Sequence, residues 1–238
     1  MLSEKNWKLE SVLRFVFGVL VCQCVGALLV ILLRGNVDPK AAPSVGRTIV
    51  SALSFQLITL GLAWRFLRDH HVGWQSGFGF HRDLPKAIGL GAMAVGVFLP
   101  IGWGLMRVSV TVMKQFGVEP SLQLAMQALK NSSSPQQLVA LGFTTIILAP
   151  IAEEILFRGV LYPTLKQHGF PRAALWGTSL MFALIHFNVA IFVPLLLLAL
   201  LLVWLYEKTD NLLAPIAAHA TFNAVNFAMF FLMKDVAP

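Results

Sequence analysis

The stretch TTIILAPIAEEILFRGVLYP, Thr144 to Pro163, is apolar enough to pass for a membrane span, yet it carries Glu153, Glu154 and Arg158. An ionised residue at the centre of a lipid-facing helix costs about 2.5 to 3.5 kcal/mol, so the three together would cost roughly 8 to 10 kcal/mol against lipid. They must face protein or water. At about 100° per residue, Glu154 and Arg158 are four apart and share a helix face, where they pair; Glu153 is turned about 100° away from Glu154. Spacing alone therefore separates the two carboxylates into a structural one, Glu154, and a free one, Glu153. Pro150 adds to this, because a proline inside a helix loses its N–H bond and clashes with the carbonyl four back, that of Ile146. A kink just before the glutamates is expected, with Pro163 helping to end the span.

The rest of the chain has the same character. Hydrophobic residues make up 57% of the 238 and charged residues 12%, with a mean hydropathy of +0.75, whereas soluble domains carry charge on about a quarter of their residues. The sequence predicts an all-α, polytopic membrane helix bundle. A need for roughly 20 apolar residues per span gives seven candidates: about Val12 to Leu33, Val45 to Leu67, Lys86 to Met113, Gln137 to Tyr162, Arg172 to Phe187, Val189 to Tyr206 and Leu212 to Met233. The fifth is short and polar for a span, and eight is the alternative count. The linkers are too small to bury a core of their own, so residues 1–238 form a single transmembrane domain, with a motif-bearing core at about 137–233. Within the linker before Gln137, SLQLAMQALK predicts a short interfacial helix.

The first span has no small-residue cleavage site and reads as retained. With seven spans and the N-terminus inside, cytoplasmic segments hold 11 of the 18 Lys and Arg, the other side 7, which favours a cytoplasmic N-terminus. The net charge of +7 is spread over the loops without basic clusters, so nucleic acid is not an expected partner and the bilayer is. Cys22 and Cys24, inside the first span, behave as small hydrophobes. His70, His71, His81 and His168 fall in loops, where solvated surface is the default. No internal repeat is visible, which argues against duplicated transporter folds.

Polar groups also stand alone in apolar surroundings at FALIH, Phe182 to His186, and at HATFN, His219 to Asn223. His219 and Asn223 are four apart and face the same way. Counting a rise of about 1.5 Å per residue from the helix ends near Tyr162, Arg172 and Leu212 puts Glu153 about 14 Å deep, His186 about 21 Å, and His219 and Asn223 about 11 to 17 Å. A carboxylate, two imidazoles and a carboxamide converging there would activate water, bind metal or relay protons. Taken singly, an intramembrane His or Asn is as readily an interhelical hydrogen bonder, and Phe182 is most simply a core aromatic. One carboxylate with two histidines is also a legitimate zinc or iron ligand set. The chain has no HExxH, however, and spacing commits Glu154 to Arg158, leaving no second carboxylate as base once Glu153 binds metal.

EEILFR, FALIH and HATFN have the forms EExxxR, FxxxH and HxxxN, in that order on three helices. This combination resembles the CPBP family of CAAX proteases and bacteriocin-processing enzymes, which are intramembrane glutamic endopeptidases. The resemblance implies that Glu153 and His186 activate the hydrolytic water, that His219 and Asn223 stabilise the oxyanion, and that Glu154 and Arg158 hold the site together. It implies no cofactor, and as substrate a membrane-bound protein or peptide, prenylated or otherwise tagged near its C-terminus. The lack of an ER retrieval signal and of long polar tails points to a prokaryotic plasma membrane rather than an organelle. Two readings of other classes remain beside it: a non-proteolytic immunity or scaffold protein of the same fold, and a proton- or metal-coupled transporter.

Overall fold

A computed structural model describes residues 5–32, 44–80, 83–132 and 134–233; His81 lies outside the described residues. The helices are α1 (Leu9–Leu32), α2 (Val45–Asp69), α3 (Trp74–Phe78), α4 (Leu84–Gln115), α5 (Leu124–Lys130), the composite α6 (Pro135–Gln167), α7 (Pro171–Leu184), α8 (Val189–Thr209) and α9 (Leu213–Met233). No strand occurs among the described residues. Six of the helices are long and apolar enough to cross a membrane: α1, α2, α4, α6, α8 and α9. The fifth sequence candidate is the exception, because α7 has 14 residues and reaches only about 21 Å at 1.5 Å per residue, short of a hydrocarbon core of about 30 Å. SLQLAMQALK does hold a short helix, α5, which packs against α2, α6 and α9 through buried Ala128 and Leu129.

The most apolar span, α8, has a mean hydropathy of 2.8 over its central window, and half of that window is buried. A helix hydrophobic all round belongs in the interior, and α8 contacts α4, α6, α7 and α9. Helices α4 and α9 pack extensively against each other. A Cβ on Gly91 would stand 2.4 Å from the Ala214 carbonyl oxygen and 3.0 Å from the Ala218 nitrogen. Small residues let two spans approach in this way, and van der Waals packing is a main source of helix association in lipid.

One end of the bundle is tied by its connections. Lys5 pairs with Asp210 at 3.8 Å with both side chains 6% exposed, and the Leu212 amide donates to the Phe78 carbonyl at 2.9 Å. Gly79 has φ +76, and a Cβ there would fall 2.0 Å from the Asp210 carbonyl oxygen. His70 is not the solvated loop residue that its position suggests. It caps α2, accepts at Nε2 from the Lys8 amide at 2.9 Å, touches the Phe66 carbonyl at 2.8 Å and stacks edge-on against Trp7 at 5.0 Å. His71 and His168 are exposed.

The composite helix α6 departs from a simple kink. Its α-helical pieces Pro135–Gly142, Ala149–Glu154 and Tyr162–Gln167 are separated by π turns at Phe143–Leu148 and Ile155–Leu161. A proline follows each π turn, Pro150 and Pro163, and widening the helix to i→i+5 bonding relieves the clash that proline imposes on the i−4 carbonyl. Pro163 consequently does not end the span, which continues to Gln167. Near it, the buried Trp7 indole donates to the Gly159 carbonyl at 3.0 Å, the group that a residue with an N–H at position 163 would serve in an α-helix.

Replacing Gly91 by Val will force the α4–α9 contact apart. We expect a loss of about 1 to 3 kcal/mol, read as a lowered thermal midpoint in detergent, while Gly89→Val, at a glycine with open space around it, will be tolerated.

Candidate active site

Glu154 and Arg158 are both fully buried, and Nη1 of Arg158 donates to Oε1 of Glu154 at 2.9 Å. Nη2 of Arg158 donates to the Ala199 carbonyl on α8 at 3.1 Å. The guanidinium also lies over the Phe182 ring, 4.7 Å from its centroid, a placement that a weakly hydrated planar cation tolerates well. The pairing follows from i,i+4 spacing; the backbone acceptor and the aromatic seat come from other helices.

His219 sits on the same carboxylate. Its Nδ1 is 2.9 Å from Oε1 of Glu154, so that oxygen serves both Arg158 and His219 while Oε2 finds no hydrogen-bond partner among the described residues. A carboxylate ionised beside arginine only accepts, so Nδ1 carries the proton and Nε2 points elsewhere: an acceptor on the neutral ring, a donor on the cation. Spacing had tied His219 only to Asn223; its bond to Glu154 joins residues 65 apart in sequence. Asn223, half-buried, donates through Nδ2 to the Thr145 carbonyl at 2.9 Å.

Phe182 is the hub that motif spacing alone does not explain. It is fully buried, and its ring lies 5.5 Å from His219, edge-on, 5.0 Å from His186 and 5.4 Å from Phe157. Its carbonyl is 2.7 Å from Nδ1 of His186. A carbonyl can only accept, so Nδ1 of His186 holds its proton and Nε2 is left bare on the neutral ring. His186 itself stands in the turn after α7 rather than on a span, since the helix ends at Leu184. That turn is set by Phe187 at φ +46 and by Asn188, which caps α8 through the Ala190 amide at 3.1 Å and donates to the Ser121 carbonyl at 2.8 Å.

Glu153 is half-buried, and its Oε2 is buried with no hydrogen-bond partner among the described residues. The two adjacent glutamates therefore differ in surroundings: Glu154 is neutralised by Arg158 and held by His219, and one oxygen of Glu153 is desolvated and unengaged. Among the described residues no three His, Cys, Asp or Glu side chains gather as a metal-binding group. Sequence reasoning passed over Gln56 and Thr59 of α2, which are buried; the signal was present as a lone amide in the apolar run SFQLITL.

Removing one partner of the buried pair strands the other charge, a change worth roughly 3 to 5 kcal/mol. Glu154→Ala and Arg158→Ala will each lower the thermal midpoint and yield of purified protein, and the double variant will lose less than the sum of the two. Singles as stable as the parent would contradict this.

Residues 135–225 match the family described as Type II CAAX prenyl endopeptidase Rce1-like. The uncharacterized protein YpbD of Bacillus subtilis (strain 168) is 39% identical over 87 residues, which cover 35% of this chain and 41% of that protein. The UPF0177 protein YxdF of Lactococcus lactis subsp. lactis (strain IL1403) is 28% identical over 78 residues, covering 32% of this chain and 42% of that protein. The chain thus spans about two fifths of the length of these curated relatives. No solved structure matches. The segment that matches the Rce1-like family contains Glu153, Glu154, Arg158, Phe182, His186, His219 and Asn223.

Proposed function

We propose that this chain is an intramembrane endopeptidase that hydrolyses a peptide bond near the membrane in a membrane-associated, prenylated or C-terminally tagged protein, with Glu153 as the general base. One observation carries the reading. Glu153, in the segment that matches the CAAX endopeptidases, has a desolvated and unpartnered carboxylate oxygen, while the charge next to it is already neutralised. A carboxylate with that oxygen free has capacity to take a proton from water.

In the proposed reaction Glu153, with the bare Nε2 of His186, orients a water and removes its proton. The water oxygen adds to the substrate carbonyl carbon, and the negative charge that develops on the carbonyl oxygen is met by His219 and by the second N–H of Asn223. For His219 to donate there, its Nε2 must carry a proton. Collapse of the adduct breaks the C–N bond, and the proton held by Glu153 passes to the leaving amine. The reading takes the reaction to be metal-free. The membrane would be a prokaryotic plasma membrane with the N-terminus cytoplasmic, as the distribution of Lys and Arg favours.

Glu153→Gln keeps the volume and loses the base, so cleavage of a juxtamembrane or C-terminal peptide library by purified protein will fall by roughly 10² or more while the thermal midpoint stays near wild type. Residual activity above about a tenth of wild type would exclude Glu153 as base. Activity is expected to survive exhaustive chelation, with less than one equivalent of transition metal by elemental analysis. Stoichiometric zinc whose removal abolishes cleavage and whose return restores it would replace the glutamate mechanism with a metal one.

A further inference from the structure

Thr144 and Thr145 present consecutive carbonyls in the π turn that precedes the glutamates. In π bonding the Ala149 amide, five residues on, donates to the Thr144 carbonyl. The corresponding donor for Thr145 would be residue 150, and Pro150 has no N–H. The Thr145 carbonyl is served instead by Nδ2 of Asn223 from α9, at 2.9 Å. From the other side, Nε2 of Gln56 on α2 reaches the Thr144 carbonyl at 3.1 Å. Gln56 is 3% exposed and lies on the interior face of α2 with Thr59, Ala63 and Phe66, and its amide orientation follows from its partner, since a carbonyl accepts only from the NH₂.

The π turn has a geometric consequence for the site. It inserts one extra residue into the helix, which rotates everything beyond it by about 100° relative to an unbroken α-helix. Relative to α2 and α9, relaxation of the turn would bring Glu153 toward the direction that Glu154 now takes to His219. We infer that Gln56 is a positioning residue for the glutamate pair: with Asn223 it clamps the π register that directs Glu154 to His219 and leaves Glu153 free. An apolar side chain of the same size would leave no unpartnered Oε1, so the contribution of the amide lies in its bond to Thr144. The consequence for turnover rests on the hydrolytic reading above; the consequence for the helix does not.

The test compares Gln56→Met, an isostere without a donor, with Thr59→Val, an isosteric change on the same face at a hydroxyl that makes no hydrogen bond among the described residues. Amide hydrogen exchange in detergent micelles is followed over residues 143–155 and over the other spans, together with kcat and KM. We expect Gln56→Met to speed exchange in 143–155 selectively and to lower kcat roughly 10- to 100-fold with KM within about twofold, as misplacement of a catalytic group does. Thr59→Val should do neither. Unchanged exchange in 143–155, a uniform rise across all spans, or unchanged kcat in a protein whose wild type cleaves would each overturn the inference. If Gln56→Met does not fold, Gln56→Leu takes its place under the same criteria. Should the wild type cleave no peptide, the hydrolytic reading fails by itself and the exchange measurement alone decides whether Gln56 holds the turn.

Discussion

The Glu154–Arg158 pair is the constraint around which the bundle is arranged. Two fully buried charges in an apolar medium are tolerable only when each finds its partner and further hydrogen bonds take up the rest. Here Arg158 reaches the Ala199 carbonyl on α8 and the Phe182 ring on α7, while Glu154 accepts from His219 on α9. One ion pair therefore draws three other helices to α6. The pair is also what distinguishes Glu153 from its neighbour, since the charge of Glu154 is already engaged.

Phe182 converts that electrostatic demand into packing. Its ring contacts Arg158, His186, His219 and Phe157 at once, and its carbonyl fixes the tautomer of His186. A side chain that sequence inspection reads as core filling is indeed core, but it is the core on which both imidazoles lean.

The two prolines of α6 act through what they lack. Each leaves a carbonyl without its usual donor, and each follows a π turn near a carbonyl served by a side chain distant in sequence: Asn223 for Thr145, Trp7 for Gly159. In lipid an unserved backbone group is costly. A proline in a span is thus a request for a partner, and the partner it receives ties another segment of the chain to the site.

Hydropathy and helical spacing were enough to read the all-α membrane class, the three motif-bearing segments and the division between Glu153 and Glu154, because these depend on composition and on the fixed 3.6-residue period. Those properties are local. The short α7, the bond from His219 to Glu154, the turn that holds His186 and the π register of α6 were decided by tertiary structure. A histidine has two nitrogens and no preference between them until a neighbour accepts, and a helix with a proline has several ways to relieve the clash until donors on α2 and α9 select one. Those donors stand 78 and 88 residues from the carbonyls they serve, and no local period connects them.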